Sequence, residues 1–394
     1  MAYISFDRVP APKGAATHIQ AFVQSLAHAF GAVDLITVGS GMTEAAGIER
    51  WPGVHHGELP AIGRSLIDRV LCFQLFLSRR LENHAFEIIQ FRSIFEGYPL
   101  LKLRRRAKLI FEVNGLSSIE LKYRYPRVID DRELIRKVIV QEAACLGAAD
   151  LIVTPSRVTR AYLIDNRGVA AEKIAVIPNG VDTTLFQDEP RTNGSGGMRL
   201  LFFGTLAAWQ GVELGIRALA QVSARSDRPS DVRLKIVGAG SDRQRDTLHA
   251  LAAKLGVANR VHILAAVEQI KLAEHLRASD AVLVPLTLSD RNTVQGCCPL
   301  KALEGMASGT PVIATDLPVM RELGRDGEHF LLTRPGSVDH IADTAAKLQS
   351  DDELSRRISR QARRHVEANF TWQRAGDALV SCYERLGINR AMIS

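Results

Sequence analysis

QGCCPLKALEGMASGTPVIAT spans residues 295–315. Pro299 stands just ahead of a helix-forming run that stops at Gly309, with Pro311 and a β-branched strand beyond the stop. A helix therefore begins near Leu300 and turns its N-terminus on the loop before it. Unpaired backbone N–H groups at that end, approached past the small residues Gly296 and Cys297, suit a phosphate. Lys301 adds a cation to the first turn, where the helix dipole disfavours one, and this points to an anion nearby. Glu304 follows one turn later on the same face, within reach of the hydroxyls of a ribose. The alternative for these two side chains is an exposed Lys–Glu pair contributing a few tenths of a kcal/mol.

Upstream, FFGTLAAWQGVELGIRAL (202–219) reads as strand, tight turn and helix, and Gly204 lets a second backbone approach the same ligand. Similar apolar, β-branched strand runs recur along the chain. LKIVGAG, RVHILAA, DAVLVPL and TPVIAT come after this point, and AYISF, VDLITV, FEIIQF, AKLIFEV, DLIVTPS and KIAVIPNG before it. Amphipathic helical patterns separate several of them. That alternation predicts parallel sheets with helices on both faces. The pattern breaks once, at the polar, Gly-rich stretch 189–197, which divides the chain into 1–188 and 198–369. Residues 370–394 are expected as a helix crossing back to the first half. Two doubly wound domains in series leave a ligand cleft between the C-terminal ends of their strands.

A chain of 394 residues with 46% hydrophobic and 24% charged residues fits two globular cores. No window approaches the roughly 18 to 20 apolar residues of a membrane span, and MAYISFDRVP lacks a basic-then-apolar leader, so a cytoplasmic location is expected. Cys72, Cys145, Cys297, Cys298 and Cys382 show neither CxxC spacing nor a histidine partner, which argues against a disulfide framework or a structural metal. The net charge of +7 is concentrated in clusters such as Lys102, Arg104, Arg105, Arg106 and Lys108. These suit either an anionic membrane or substrate, or a solvated face. Leu66, Val70, Phe73 and Leu77, with Ile67 and Leu71, form an apolar helix face that packs into the core or lies on a membrane. Gly238 and Gly240 give half of a dinucleotide fingerprint, which fails at Arg243. His55 and His56 lack a third metal ligand and read as surface residues. Cys297 and Cys298 have no activating base and read as small packing residues.

VIPNGVDTTLF (176–186), FFGTLAAWQGV, IVGAGSDR, ASDAVLVPL and LKALEGMASGTPVIATDLP together resemble family 4 of the retaining glycosyltransferases, from KGAATHI at residue 13 to the terminal FTW (370–372). The resemblance implies an α/β GT-B fold, with two Rossmann-like doubly wound domains facing across a cleft. It implies an acceptor-binding first domain and a second domain that binds a nucleoside diphosphate sugar. In the family the Gly204 turn meets the donor diphosphate, and Glu304 meets the ribose. Gly14 and Ala15 are similar to the loop that closes over the donor, and Cys297, Cys298, Pro299, Leu300 and Lys301 to the loop and helix that hold its phosphates. The resemblance implies retention without an enzymic nucleophile, with the leaving diphosphate itself accepting the acceptor's proton, and with no metal and no further cofactor.

The pattern is broken at three places. Thr205 and Gln210 stand where many relatives have Arg and Lys, Gly296 where the first Glu of Glu-x7-Glu would fall, and FEVNG (111–115) where a His-Asp is frequent. Lys301 is then expected to replace the missing charge, and Glu112 and Asn114 to stand in for the His-Asp pair as catalytic groups. The expected partners are a nucleoside diphosphate sugar and a glycan or lipid-linked acceptor, with peripheral contact at the inner face of an anionic membrane and no nucleic acid. A catalytically inactive sugar-nucleotide-binding scaffold and a nucleotide-sugar 2-epimerase are the alternatives.

Overall fold

The computed structural model describes residues 1–188, 197–225 and 232–390. Most of the stretch read as the boundary (189–196) and the last four residues of the expected final helix lie outside the described residues. The first sheet contains β1 (Ala2–Ile4), β2 (Val33–Val38), β3 (Ala45–Trp51), β4 (Val54–Leu59), β5 (Ile88–Phe91), β6 (Lys108–Glu112), β7 (Leu151–Thr154) and β8 (Ile174–Val176). They lie in the order β3-β4-β2-β1-β5-β6-β7-β8, and every pairing is parallel except that of β3 with β4. The second sheet contains β9 (Arg199–Thr205), β10 (Arg233–Ala239), β11 (Val261–Ala265), β12 (Ala281–Val284), β13 (Val312–Thr315) and β14 (Leu331–Thr333). Its order is β11-β10-β9-β12-β13-β14, parallel throughout. Both are Rossmann-like sheets, and β5, β7, β12 and β13 are buried along their whole length because helices cover both faces.

Sequence periodicity finds eleven of these strands and passes over β3, β4 and β14. AAGIERW and VHHGEL carry few β-branched residues, and β14 is only three residues long. The missed hairpin corrects the reading of His56. On β4 it points inward, is buried, lies 2.7 Å from Thr37 Oγ1 and accepts from Arg50 Nε at 2.9 Å. Burial, helped by Arg50, pushes its pKa down to about 4. His55, one residue earlier, faces solvent as expected.

The final helix, Trp372–Arg385, packs against the helix Gly14–Phe30 on the first sheet. Leu379, Cys382 and Tyr383 join Tyr3, Ile19 and Phe22 in one apolar cluster. Gly376 makes this approach possible, since a Cβ there would run into the Ser25 side chain. Where the chain crosses back, Val181 N–H donates to Phe370 O at 2.9 Å, so PNGVD and FTW meet as paired extended segments.

Candidate active site

Between the two sheets lies a cleft of about 350 Å³. The helix Leu300–Ala307 starts at its wall, with Cys297, Cys298, Pro299 and Leu300 lining the approach. Facing it is the N-terminus of the Gly14–Phe30 helix. Gly14 is the first residue of that helix rather than part of a loop, and a Cβ on it would lie 2.8 Å from Leu300 Cδ1. Two helix N-termini, from opposite sheets, therefore converge on one cavity. Each presents unpaired N–H groups and the positive end of a dipole. Gly204, at φ 116°, is the penultimate residue of β9 on a third side, and only a glycine adopts that backbone without strain.

Lys301 and Glu304 are both buried rather than an exposed pair, each 7% exposed. Lys301 Nζ donates to Gln210 Oε1 at 2.5 Å and lies 4.0 Å from the centre of the Phe202 ring. Burial pushes the ammonium down to about 7, against the opposing pull of Glu304. The same burial pushes Glu304 up to about 7, against the pull of Lys301. Two desolvated groups of opposite charge on one helix face in a cleft make this a candidate ligand site.

Of the residues singled out from sequence, Gly14, Ala15, Asn114, Gly204, Thr205, Gln210, Cys297, Cys298, Pro299, Leu300, Lys301 and Glu304 all line this cleft. Gly296 and Glu112 do not. Gly296 has φ 84°, and a Cβ there would sit 2.9 Å from Thr159 N and Val158 Cβ. The backbone thus turns this position away from the cavity, and no glutamate fits there. Glu112 lies beneath the floor, 1% exposed. It accepts from Tyr3 Oη at 2.5 Å, from Gln90 Nε2 at 2.6 Å and from Asn114 Nδ2, while Arg92 Nε and His18 Nε2 stand 3.0 and 2.9 Å away. Burial alone would raise its pKa, but His18, Arg92 and these hydrogen bonds outweigh it and hold the carboxyl well below the usual range.

Sequence reasoning missed His18, Arg92, Asn179, Trp209 and Arg291, all of which line the cleft. His18 Nδ1 lies 2.7 Å from Asn179 Oδ1, and Asn179 Nδ2 donates to Cys298 O at 2.8 Å. Asn179 belongs to the PNGVD motif, so a signal for it was present. Cys297 and Cys298 are both buried, and burial first of all raises each thiol, as befits packing residues. Gly238 and Gly240 are explained by crowding, since a Cβ on either would meet Leu206.

Known proteins share this chain's domains and fold. Residues 12–185 match the model of Glycosyltransferase Family 4, and residues 197–351 that of Glycosyl transferases group 1. The chain is 29% identical over 376 residues to a D-inositol 3-phosphate glycosyltransferase of Geodermatophilus obscurus, covering 89% of this chain and 80% of that enzyme. Against the enzyme of the same name from Nocardia farcinica it is 30% identical, over 64% of this chain but only 55% of the relative. Among solved structures, sucrose-phosphate synthase from Thermosynechococcus elongatus superposes with a TM-score of 0.81 at 21% identity, over 98% of this chain and 99% of that one. Anabaena HepE in complex with UDP-glucose superposes with a TM-score of 0.76 at 17% identity, over 98% of this chain and the whole of that one. The chain belongs to glycosyltransferase family 4, and it is a glycosyltransferase built on the GT-B fold.

Proposed function

We propose that the protein transfers a sugar from a nucleoside diphosphate sugar to an acceptor hydroxyl with retention of anomeric configuration. Residues 198–369 bind the donor and 1–188 the acceptor. The observation that carries this reading is the convergence of the two helix N-termini, the Gly204 turn and Lys301 on a single cavity. A diphosphate leaving group gains negative charge as the glycosyl bond breaks, and fixed N–H donors with one ammonium stabilise that charge without a metal. The acceptor oxygen bonds to the anomeric carbon on the face from which the diphosphate departs, which retains configuration without an enzymic nucleophile. The leaving phosphate oxygen takes the acceptor's proton, so no side chain needs to act as general base. Asn114 lines the cleft while Glu112 holds Asn114, His18 and Arg92 in place from below. The crystallised relative HepE binds UDP-glucose, which supports a donor of this class.

A thermal-shift screen of UDP-, GDP- and ADP-sugars tests the reading. A donor at a hundred times its dissociation constant should stabilise the protein by about 2.7 kcal/mol. Product stereochemistry by NMR then tests retention, and chelator the metal-free claim. Failure of every sugar nucleotide to bind would sink the proposal.

The acceptor is proposed to be lipid-linked, with the first sheet resting on the inner face of an anionic membrane. The helix Leu66–Asn83 divides its apolar residues in two. Phe73 and Leu77 are fully buried, while Ile67, Leu71 and Leu75, spaced one turn apart, are 54%, 58% and 51% exposed. Lys102, Arg104, Arg105 and Arg106 lie exposed just past the neighbouring helix Ile94–Leu100. Apolar ridges flanked by basic residues suit an anionic bilayer surface. No helix among the described residues is long and apolar enough to cross a membrane. The protein should therefore sediment with phosphatidylglycerol vesicles at low salt and be released by high salt. Indifference to both lipid charge and salt would remove the argument.

A further inference from the structure

Gln210 and Thr205 leave the corner after β9 without a cation of its own, yet a cation reaches it from another loop. Between β12 and the Leu300 helix, residues Arg291–Gln295 form a single π-helical turn. Buried Asn292 fastens that turn to the corner, donating to Trp209 O at 2.9 Å. Arg291, one residue earlier, enters the cleft with its guanidinium carbon 5.4 Å from the centre of the Trp209 ring and beside the Cys297 thiol, at the approach to the Leu300 helix. Its Nε donates to Glu120 Oε1 at 3.0 Å, from a helix of the first sheet, Ser117–Arg124. Glu120 is shared, since Arg124 Nη2 also lies 3.9 Å from its other oxygen. Two guanidiniums on one carboxylate leave positive charge facing the cavity.

We propose that Arg291 is a second donor-binding cation, which supplies from the π-turn the charge absent at Thr205 and Gln210, and that Glu120 is the counter-ion with which the donor diphosphate competes for it. The inference rests on the nucleotide-sugar reading above. A guanidinium is suited to the task because it stays ionised throughout the working pH range and offers paired N–H groups to phosphate oxygens. Lys301 is less constant, because burial leaves its ammonium only partly protonated near neutrality. Lys301 and Arg291 also grip the same corner from two sides, one through Gln210 and the other over Trp209.

The competing explanation is a purely structural tie between the two sheets, and it predicts that both partners matter alike. Titration calorimetry of UDP, GDP and ADP into the full-length wild type, R291Q and E120Q separates the two. With whichever nucleotide binds the wild type, R291Q should bind about tenfold or more weakly, the effect of losing a charged hydrogen bond. E120Q, freed of the competing carboxylate, should bind at least as tightly as the wild type. If R291Q does not fold, R291K serves in its place and should still lose affinity while E120Q does not. Equal losses in the Arg291 and Glu120 variants, or an Arg291 variant within twofold of wild type, would overturn the proposal and leave the nucleotide-sugar reading standing. No binding of any of the three nucleotides to the wild type would instead bring down that reading, and this inference with it.

Discussion

Lys301→Ala should lower transfer efficiency about tenfold to more than a hundredfold at limiting donor, while the ligand-free protein melts within a few degrees of wild type. The asymmetry follows from where the ammonium sits. It is buried at the mouth of a helix N-terminus, where the dipole opposes it and desolvation has already pushed it down to about 7. A charge held at such a cost contributes little to the fold. Its removal costs the hydrogen bond to Gln210, the contact with Phe202 and the pull on Glu304, whose buried carboxyl can answer by taking up a proton. A bound diphosphate reverses the balance, because a charge-assisted contact to phosphate is worth about 1.5 to 3 kcal/mol. The pH dependence has a definite sign. The anion favours the protonated lysine, so donor binding takes up a proton, and apparent affinity should fall as pH rises through about 7. Adding Gln210→Lys to Lys301→Ala should restore part of the loss, because the two side chains already touch. Steady-state kinetics at limiting donor beside a melting curve provide the check. Near-wild-type transfer in Lys301→Ala would remove this residue from the site without touching the family assignment.

Glu112→Ala should behave in the opposite way, costing about 3 to 5 kcal/mol of stability and lowering the melting midpoint by on the order of 10 °C. The carboxylate is fully enclosed and collects donors or cations from β1, the Gly14 helix, β5 and the segment after β6. Taking it away leaves the Arg92 guanidinium buried against fewer counter-charges and Tyr3 without its acceptor. Its folded pKa is depressed, so its contribution is present above the unfolded value of about 4.3 and is lost as pH falls through the folded one. Chemical denaturation at pH 7 measures the effect. A Glu112→Ala protein as stable as wild type, yet unable to transfer, would show instead that the carboxylate takes part in the chemistry.

The sequence was most legible where local rules and function coincide. Pro299, Gly309 and Pro311 bracket the Leu300 helix, and the strand runs on either side are apolar because helices cover both faces of each sheet. The loop and helix at 297–304 and the turn at 204–210 could be read as one site because each carries its own local signature. Arg291 could not, since its placement depends on a π-turn stitched by Asn292 to a corner some eighty residues earlier, and no periodicity reports that. Glu112 was picked out for its neighbourhood in the chain, but its role depends on partners that only the packed sheet supplies. Gly296 looked like a missing contact. The structure shows that its positive φ and the closeness of Thr159 leave no room for the glutamate that is absent.

The helix Trp372–Arg385 has a consequence for the order in which the protein can be made. Tyr383 donates to Gln90 Oε1, Gln90 donates to Glu112, Glu112 flanks His18, and His18 and Asn179 lead to the Cys298 carbonyl beside the Leu300 helix. Trp372 closes the same group from the side, edge-on to His18 at 5.6 Å. All strands of the first sheet precede the second sheet in the chain, yet one face of the first sheet's core and one end of this chain of contacts wait for a helix that follows the second sheet. The half that is translated first is thus completed only after the second has been made, and the cleft acquires its shape when Trp372–Arg385 has docked on Gly14–Phe30.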